Sequence, residues 1–236
     1  ERVISMWLKG GKNGRTLIKK YKGGTLVTIK GYTNNPELRK KEVIPGTFDP
    51  IFKEIFKSNK EFLADIIYEV TGIPKEEVLK GTIINSEYPI LNINEKRRTS
   101  DLIIELEDSV INLEMNNHYY KKLNKRNDIY LFKIVSLSDK SVTIQININN
   151  FRSKDGQVVK RYTLKDDEGK EEDEIGLIKY DIHLENIKEK YYNNDKLTKL
   201  EKYMLMLKLR KREELLENNF IKLEETDGFD AIEKFV

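Results

Sequence analysis

Thr99-Ser100-Asp101-Leu102-Ile103-Ile104-Glu105-Leu106-Glu107-Asp108-Ser109-Val110-Ile111-Asn112-Leu113-Glu114-Met115-Asn116 is the stretch on which the fold turns. Two apolar runs, Leu102-Ile103-Ile104 with Leu106 and Val110-Ile111 with Leu113 and Met115, flank the polar Glu107-Asp108-Ser109. That pattern predicts a β-hairpin. Side chains alternate along a strand, so Asn112, Glu114 and Asn116 share one face while Ile111, Leu113 and Met115 share the core face. Asp101 opens the first strand, and antiparallel pairing across so short a turn brings it beside the far end of the second, near Glu114.

Two carboxylates and a backbone carbonyl at one sheet edge make a hard, oxygen-rich site suited to Mg²⁺ or Mn²⁺. Ser100 to Ile104 followed by Ile111 to Asn116 resembles the Asp and Glu-x-Lys signature of the PD-(D/E)XK nuclease superfamily. More narrowly, it is similar to the branch of PD-(D/E)XK family transposases and recombination-promoting nucleases, whose last motif residue is usually Gln; here it is Asn116. The resemblance implies an α/β, restriction-endonuclease-like core with a mixed central sheet flanked by helices. It also implies a cation held by Asp101, Glu114 and the Met115 carbonyl, with Asn116 orienting the attacking water.

The likeness continues along the chain. Asp49, Phe52, Lys53 and Phe56 match the branch's opening helix, where an acidic residue, Glu54 or Asp49, would lend a further carboxylate. Read from local sequence alone, Asp49 is an N-cap ahead of Pro50 and Glu54 a surface residue. Asn85-Ser86-Glu87 is similar to the branch's segment before the hairpin, so Glu87 either reaches the cation or bonds the sheet edge. Arg126, Tyr130 and Lys133 match an Arg, Tyr and Lys that share one helical face. With Arg98, Lys121 and Lys122, the cations Arg126 and Lys133 are the candidates for gripping a DNA backbone.

Composition narrows the alternatives. The 236 residues carry 35% charged side chains but a net charge of only +3, so any nucleic-acid contact must come from local patches. No cysteine is present, and only His118 and His183 could serve a zinc cluster or a Ser-His-Asp triad, which disfavours both. No run approaches the length of a membrane span and no charged-then-apolar segment opens the chain, so the expectation is a cytoplasmic protein with no membrane partner.

Residues 1–44 read as an accessory β-meander and linker, with strands at Val3 to Leu8, Thr16 to Tyr21 and Thr25 to Ile29. Residues 45–236 read as the nuclease-like domain. Helices are expected over Asp49 to Phe56, Glu61 to Val70, Asn117 to Val135 and Lys196 to Leu216. Further strands are expected at Ile83 to Pro89, at the alternating Ser141 to Phe151, and at Val158 to Leu164 and Leu177 to Leu184. The function expected is metal-dependent DNA hydrolysis with low sequence specificity, by an endonuclease of mobile-element or phage-like type. The alternative is a catalytically inactive protein of the same fold that binds nucleic acid or, through the meander, a protein partner. Assembly as a homodimer is compatible with either.

Overall fold

The computed structural model describes residues 45–84, 100–171 and 176–210, together with the backbone of 16–21 and 24–29. Glu87, Arg98, the expected first strand of the meander and the basic residues Lys211 and Arg212 lie outside the described residues. Strands β1 (Thr16–Tyr21) and β2 (Gly24–Ile29) form the antiparallel hairpin expected of the meander, Tyr21 pairing with Gly24.

Three helices open the main unit: α1 (Asp49–Ser58), α2 (Lys60–Thr71) and α3 (Lys75–Lys80). Phe52, Ile55 and Phe56 recur at helical spacing and are fully buried, which fixes the inward face of α1. Asp49 is not the N-cap. Phe48 holds that position with extended backbone and makes no side-chain cap bond. Asp49 is instead the first helical residue, where a carboxylate favours the positive end of the helix. Asn59 caps α2 by accepting the Phe62 N–H at 2.9 Å, and Gly72 closes it in the left-handed region at φ 80°.

Then follow β3 (Thr82–Ile84), β4 (Leu102–Glu105), β5 (Ser109–Asn116), α4 (Leu123–Leu137), β6 (Val142–Asn149), β7 (Val159–Thr163), β8 (Gly176–His183), α5 (Leu184–Tyr192) and α6 (Lys199–Lys208). They build a mixed six-stranded open sheet in the order β3-β4-β5-β6-β8-β7. The β3-β4-β5 strands are antiparallel neighbours, β5, β6 and β8 run parallel, and β7 returns antiparallel on the edge. Helix α6 is shorter than its periodicity suggests. It starts behind a capping box of Thr198 and Glu201 and stops at Lys208, because Leu209 turns to extended backbone and buries its side chain.

The two faces of the sheet differ sharply. One carries Leu102, Ile104, Ile111, Leu113, Met115, Ile144, Ile146, Ile148 and Ile182 in a continuous apolar core with side chains of α1, α2 and α6. On the other, the alternate residues of β5, β6 and β8 are mostly polar, and α4 lies over them with only a small apolar contact of Ile103, Val110, Tyr130 and Ile134. That polar face is nonetheless buried: all eight residues of β5 are inaccessible.

Candidate functional site

The site sits where β5, β6 and β8 end and β4 begins, since parallel strands place their carboxyl ends together and the antiparallel β4 enters from the same rim. Such rims are where open α/β sheets bind ligands. The register Leu102↔Leu113 sets Asp101 across from Glu114. The Met115 N–H donates to Asp101 Oδ2 at 2.8 Å, so the carboxylate substitutes for the next rung of the ladder. A strand residue's N–H and C=O project toward the same neighbour, so the Met115 carbonyl faces the Asp101 side as well.

Each acid meets a cation from a different helix. Lys53 Nζ on α1 lies 3.0 Å from Asp101 Oδ1. Arg126 Nη2 on α4 lies 3.4 Å from Glu114 Oε2, 3.2 Å from Asn116 Oδ1, and its guanidinium stands over the Tyr130 ring at 5.2 Å. Glu114 is 1% exposed, and burial, reinforced by repulsion from Asp101, pushes its carboxyl up to about 7. Ser100, Arg126 and Asn112 pull in the opposite direction without offsetting burial; Asn112 does so by proximity, without a hydrogen bond of ordinary geometry. Burial and then the charge of Asp101 also raise Asp49, with Lys53 and Arg126 opposing. Burial works against the Lys53 ammonium, but Asp101, Asp49 and Glu114 together hold its pKa above the ordinary lysine value. Asp49, Lys53, Asp101, Glu114 and Arg126 therefore feel one another as a single electrostatic cluster.

Asn116 is tied on both sides. Its Nδ2 donates to Asn149 Oδ1 at 3.0 Å while its Oδ1 accepts from Arg126. Deeper on the same face Gln145 Nε2 donates to Asn147 Oδ1 at 2.8 Å, and Asn147 Nδ2 to Asp181 Oδ1 at 2.7 Å. Lys179 closes the layer by donating to Asp128 of α4. Glu114 Oε1, both polar atoms of the Asn112 amide, Asn127 Oδ1 and Gln145 Oε1 are buried with no hydrogen-bond partner among the described residues. A buried polar atom left so costs about 1–3 kcal/mol, far from the usual arrangement of a protein interior.

Against known proteins, the chain matches no family model and no curated sequence.

Of the residues singled out from sequence, the fold brings Asp101, Glu114, Met115, Asn116, Lys53, Asp49 and Arg126 together. Glu54 is exposed on α1 and makes no hydrogen bond or ion pair among the described residues; Asp49, also exposed, is the acid of α1 that feels Asp101. Lys121 and Lys122 are exposed in the segment leading into α4, and Lys133 is half-buried further along that helix. Sequence reasoning missed Asn149, Gln145, Asn147 and Asp181. The signal of the three amides was their place at every second position of β6, which a solvated strand face explains equally well until the face is seen to be covered; Asp181 lies on β8 and had none. No group of three or more His, Cys, Asp or Glu side chains converges as a cation cage among the described residues. The rim supplies two facing carboxylates and one carbonyl direction, with the Glu114 Oε1 unpartnered among the described residues: a hard-oxygen donor set that fits a small divalent cation.

Proposed function

We propose that the chain is a divalent-cation-dependent endonuclease of low sequence specificity acting on DNA, with its site at this rim and a core of restriction-endonuclease-like type. The order α1, antiparallel β3-β4-β5, α4 and parallel β6 is compatible with that core. The observation that carries the reading is Asp101 across from a buried Glu114 whose Oε1 has no hydrogen-bond partner among the described residues.

Asp101, Glu114 and the Met115 carbonyl would hold Mg²⁺ or Mn²⁺. When bound, such an ion lowers the pKa of a water ligand and neutralises charge developing on a phosphodiester. The chain's own groups do the rest. Arg126 draws Glu114 toward the ionised form that a ligand must have, and Asn116, fixed by Asn149, keeps the guanidinium in place. With Asn116 so occupied, Lys53 is the lysine paired with Asp101 among the described residues, and we assign to it the steadying of the attacking water or the scissile phosphate. Lys121 and Lys122 contribute the salt-sensitive grip on the backbone.

One observation favours a second reading, a catalytically silent binder on the same scaffold: both acids already carry an organic cation, Lys53 on Asp101 and Arg126 on Glu114. Plasmid nicking separates the two. Cutting with Mg²⁺ or Mn²⁺ that EDTA abolishes, and that Asp101→Ala and Glu114→Ala both lose, supports the enzyme. Salt-sensitive retention of DNA with no cutting by the wild type supports a nucleic-acid binder, and neither cutting nor retention points to a protein-directed role.

A further inference from the structure

Immediately after Asn116 the chain leaves the rim through Asn117-His118-Tyr119-Tyr120-Lys121-Lys122 and enters α4. Tyr119 and Tyr120 are 55% and 43% exposed, although Asp101 and Glu114 at the same rim are covered. Tyr119 is not a loosely held surface ring. It packs on Phe151 in a T-shaped pair at a centroid distance of 5.6 Å and 66°, and Phe151 packs in turn on the buried His183 at 5.8 Å and 69°. This row of aromatics follows the ends of β5, β6 and β8, so the sheet itself sets the angle of the outermost ring. Tyr120 lies close enough to Arg126 to raise that residue's pKa, which ties it to the same rim.

Around these rings the charge is positive and unspent. Lys121, Lys122 and Lys125 are exposed, and none forms an ion pair among the described residues. A fixed aromatic ring beside free ammonium groups matches the two parts of a nucleotide: a base with a π-face and a phosphate. In a duplex the faces of the bases are hidden against one another, so a ring can stack only on a base that is unpaired.

Resting on the nuclease reading of the rim, we propose that the strand it takes is single-stranded where it crosses, with an unpaired base stacked on Tyr119 and the adjoining phosphates on Lys121 and Lys122. The site is thus directed to unpaired nucleic acid, such as a frayed end, flap or displaced strand, rather than to intact duplex. Sequence preference is weak, because every base offers a face.

The test is fluorescence anisotropy of labelled oligothymidylate and of a fully paired, GC-ended duplex of equal nucleotide number, in EDTA so that nothing is cut, with the whole chain. Wild type is expected to hold oligothymidylate the more tightly. Tyr119→Ala should weaken it roughly 5- to 100-fold, the range of one lost base stack, whereas Tyr119→Phe, which keeps the ring, should bind as wild type. The inference is overturned if the duplex is held as well as the single strand. It is equally overturned if Tyr119→Ala leaves binding unchanged while the Lys121→Ala, Lys122→Ala double variant weakens it; either result leaves the DNA reading standing. If neither oligonucleotide is retained at low salt, this inference falls, and the DNA reading falls with it only where plasmid is also left uncut with Mg²⁺ or Mn²⁺. Circular dichroism of each variant separates a lost stack from a lost fold.

Discussion

Lys53 on α1 and Asp101 at the head of β4 are joined by an ion pair of 3.0 Å that fastens the opening helix to the rim of the sheet. The ammonium occupies Oδ1 while the Met115 N–H occupies Oδ2, so both oxygens of the carboxylate are engaged. A divalent cation must therefore compete with Lys53. Such a part-exposed pair is worth about 0.5–1 kcal/mol after solvent screening, which translates into a two- to fivefold effect on affinity, roughly. Lys53→Met is expected to bind Mn²⁺ tighter by that factor in calorimetry and, if the chain cuts DNA, to cut it more slowly. Unchanged affinity would show that the ammonium does not compete.

Glu114 makes stability depend on pH. Its carboxyl rises in the fold from 4.5 to about 7, so between these values the folded chain binds more protons than the unfolded chain. The contribution is fully present below the lower value and is lost as pH climbs through the upper one. Thermal unfolding of the wild type should therefore move to lower temperature from about pH 5 to about pH 8, by an amount that Glu114→Gln removes. A wild type and variant with parallel pH profiles would mean that Glu114 titrates normally.

Arg126 is the partner that makes the charged form of Glu114 tolerable. In Arg126→Met the apolar part of the side chain stays against Tyr130, but the buried carboxylate loses its charged neighbour. The expected loss is about 1–3 kcal/mol at alkaline pH, where Glu114 is ionised, and markedly less in mild acid, where it is neutral. Urea denaturation at the two pH values measures the difference. An equal loss at both would assign Arg126 a packing role only.

Gly176 marks how closely β6 and β8 run. A Cβ built there would stand 2.7 Å from the Ser141 carbonyl oxygen and 2.9 Å from Val142 Cα, both main-chain atoms that no rotamer change can move. Gly176→Ala should cost about 1–3 kcal/mol, seen as a lower urea midpoint with an unchanged slope.

The segments most legible from sequence were those whose pattern is local. The hairpin around Glu107, the buried stripe of α1 at Phe52, Ile55 and Phe56, the Gly72 terminator and the alternation of β6 all follow from spacing and turn chemistry acting within a few residues. Asp49 and α6 show the limit. A helix's first residue and last turn depend on how the flanking chain is held: Phe48 stays extended with its N–H on the Pro45 carbonyl, and Leu209 turns extended to bury its side chain. Helix α3, Lys75–Lys80, is too short to display a period at all.

By itself the sequence determined that Asp101 and Glu114 meet, because strand alternation and a short turn leave their register no freedom. It also determined that Asn112, Glu114 and Asn116 share a face. Only the tertiary structure decided what covers that face and which cations answer the acids. Lys53 and Arg126 come from helices on opposite sides of the sheet, and the amides of β6 reach Asn116 and Asp181 only through parallel pairing of distant segments. Alternation says which residues point together; burial, and with it the raised pKa of Glu114, depends on what packs above them.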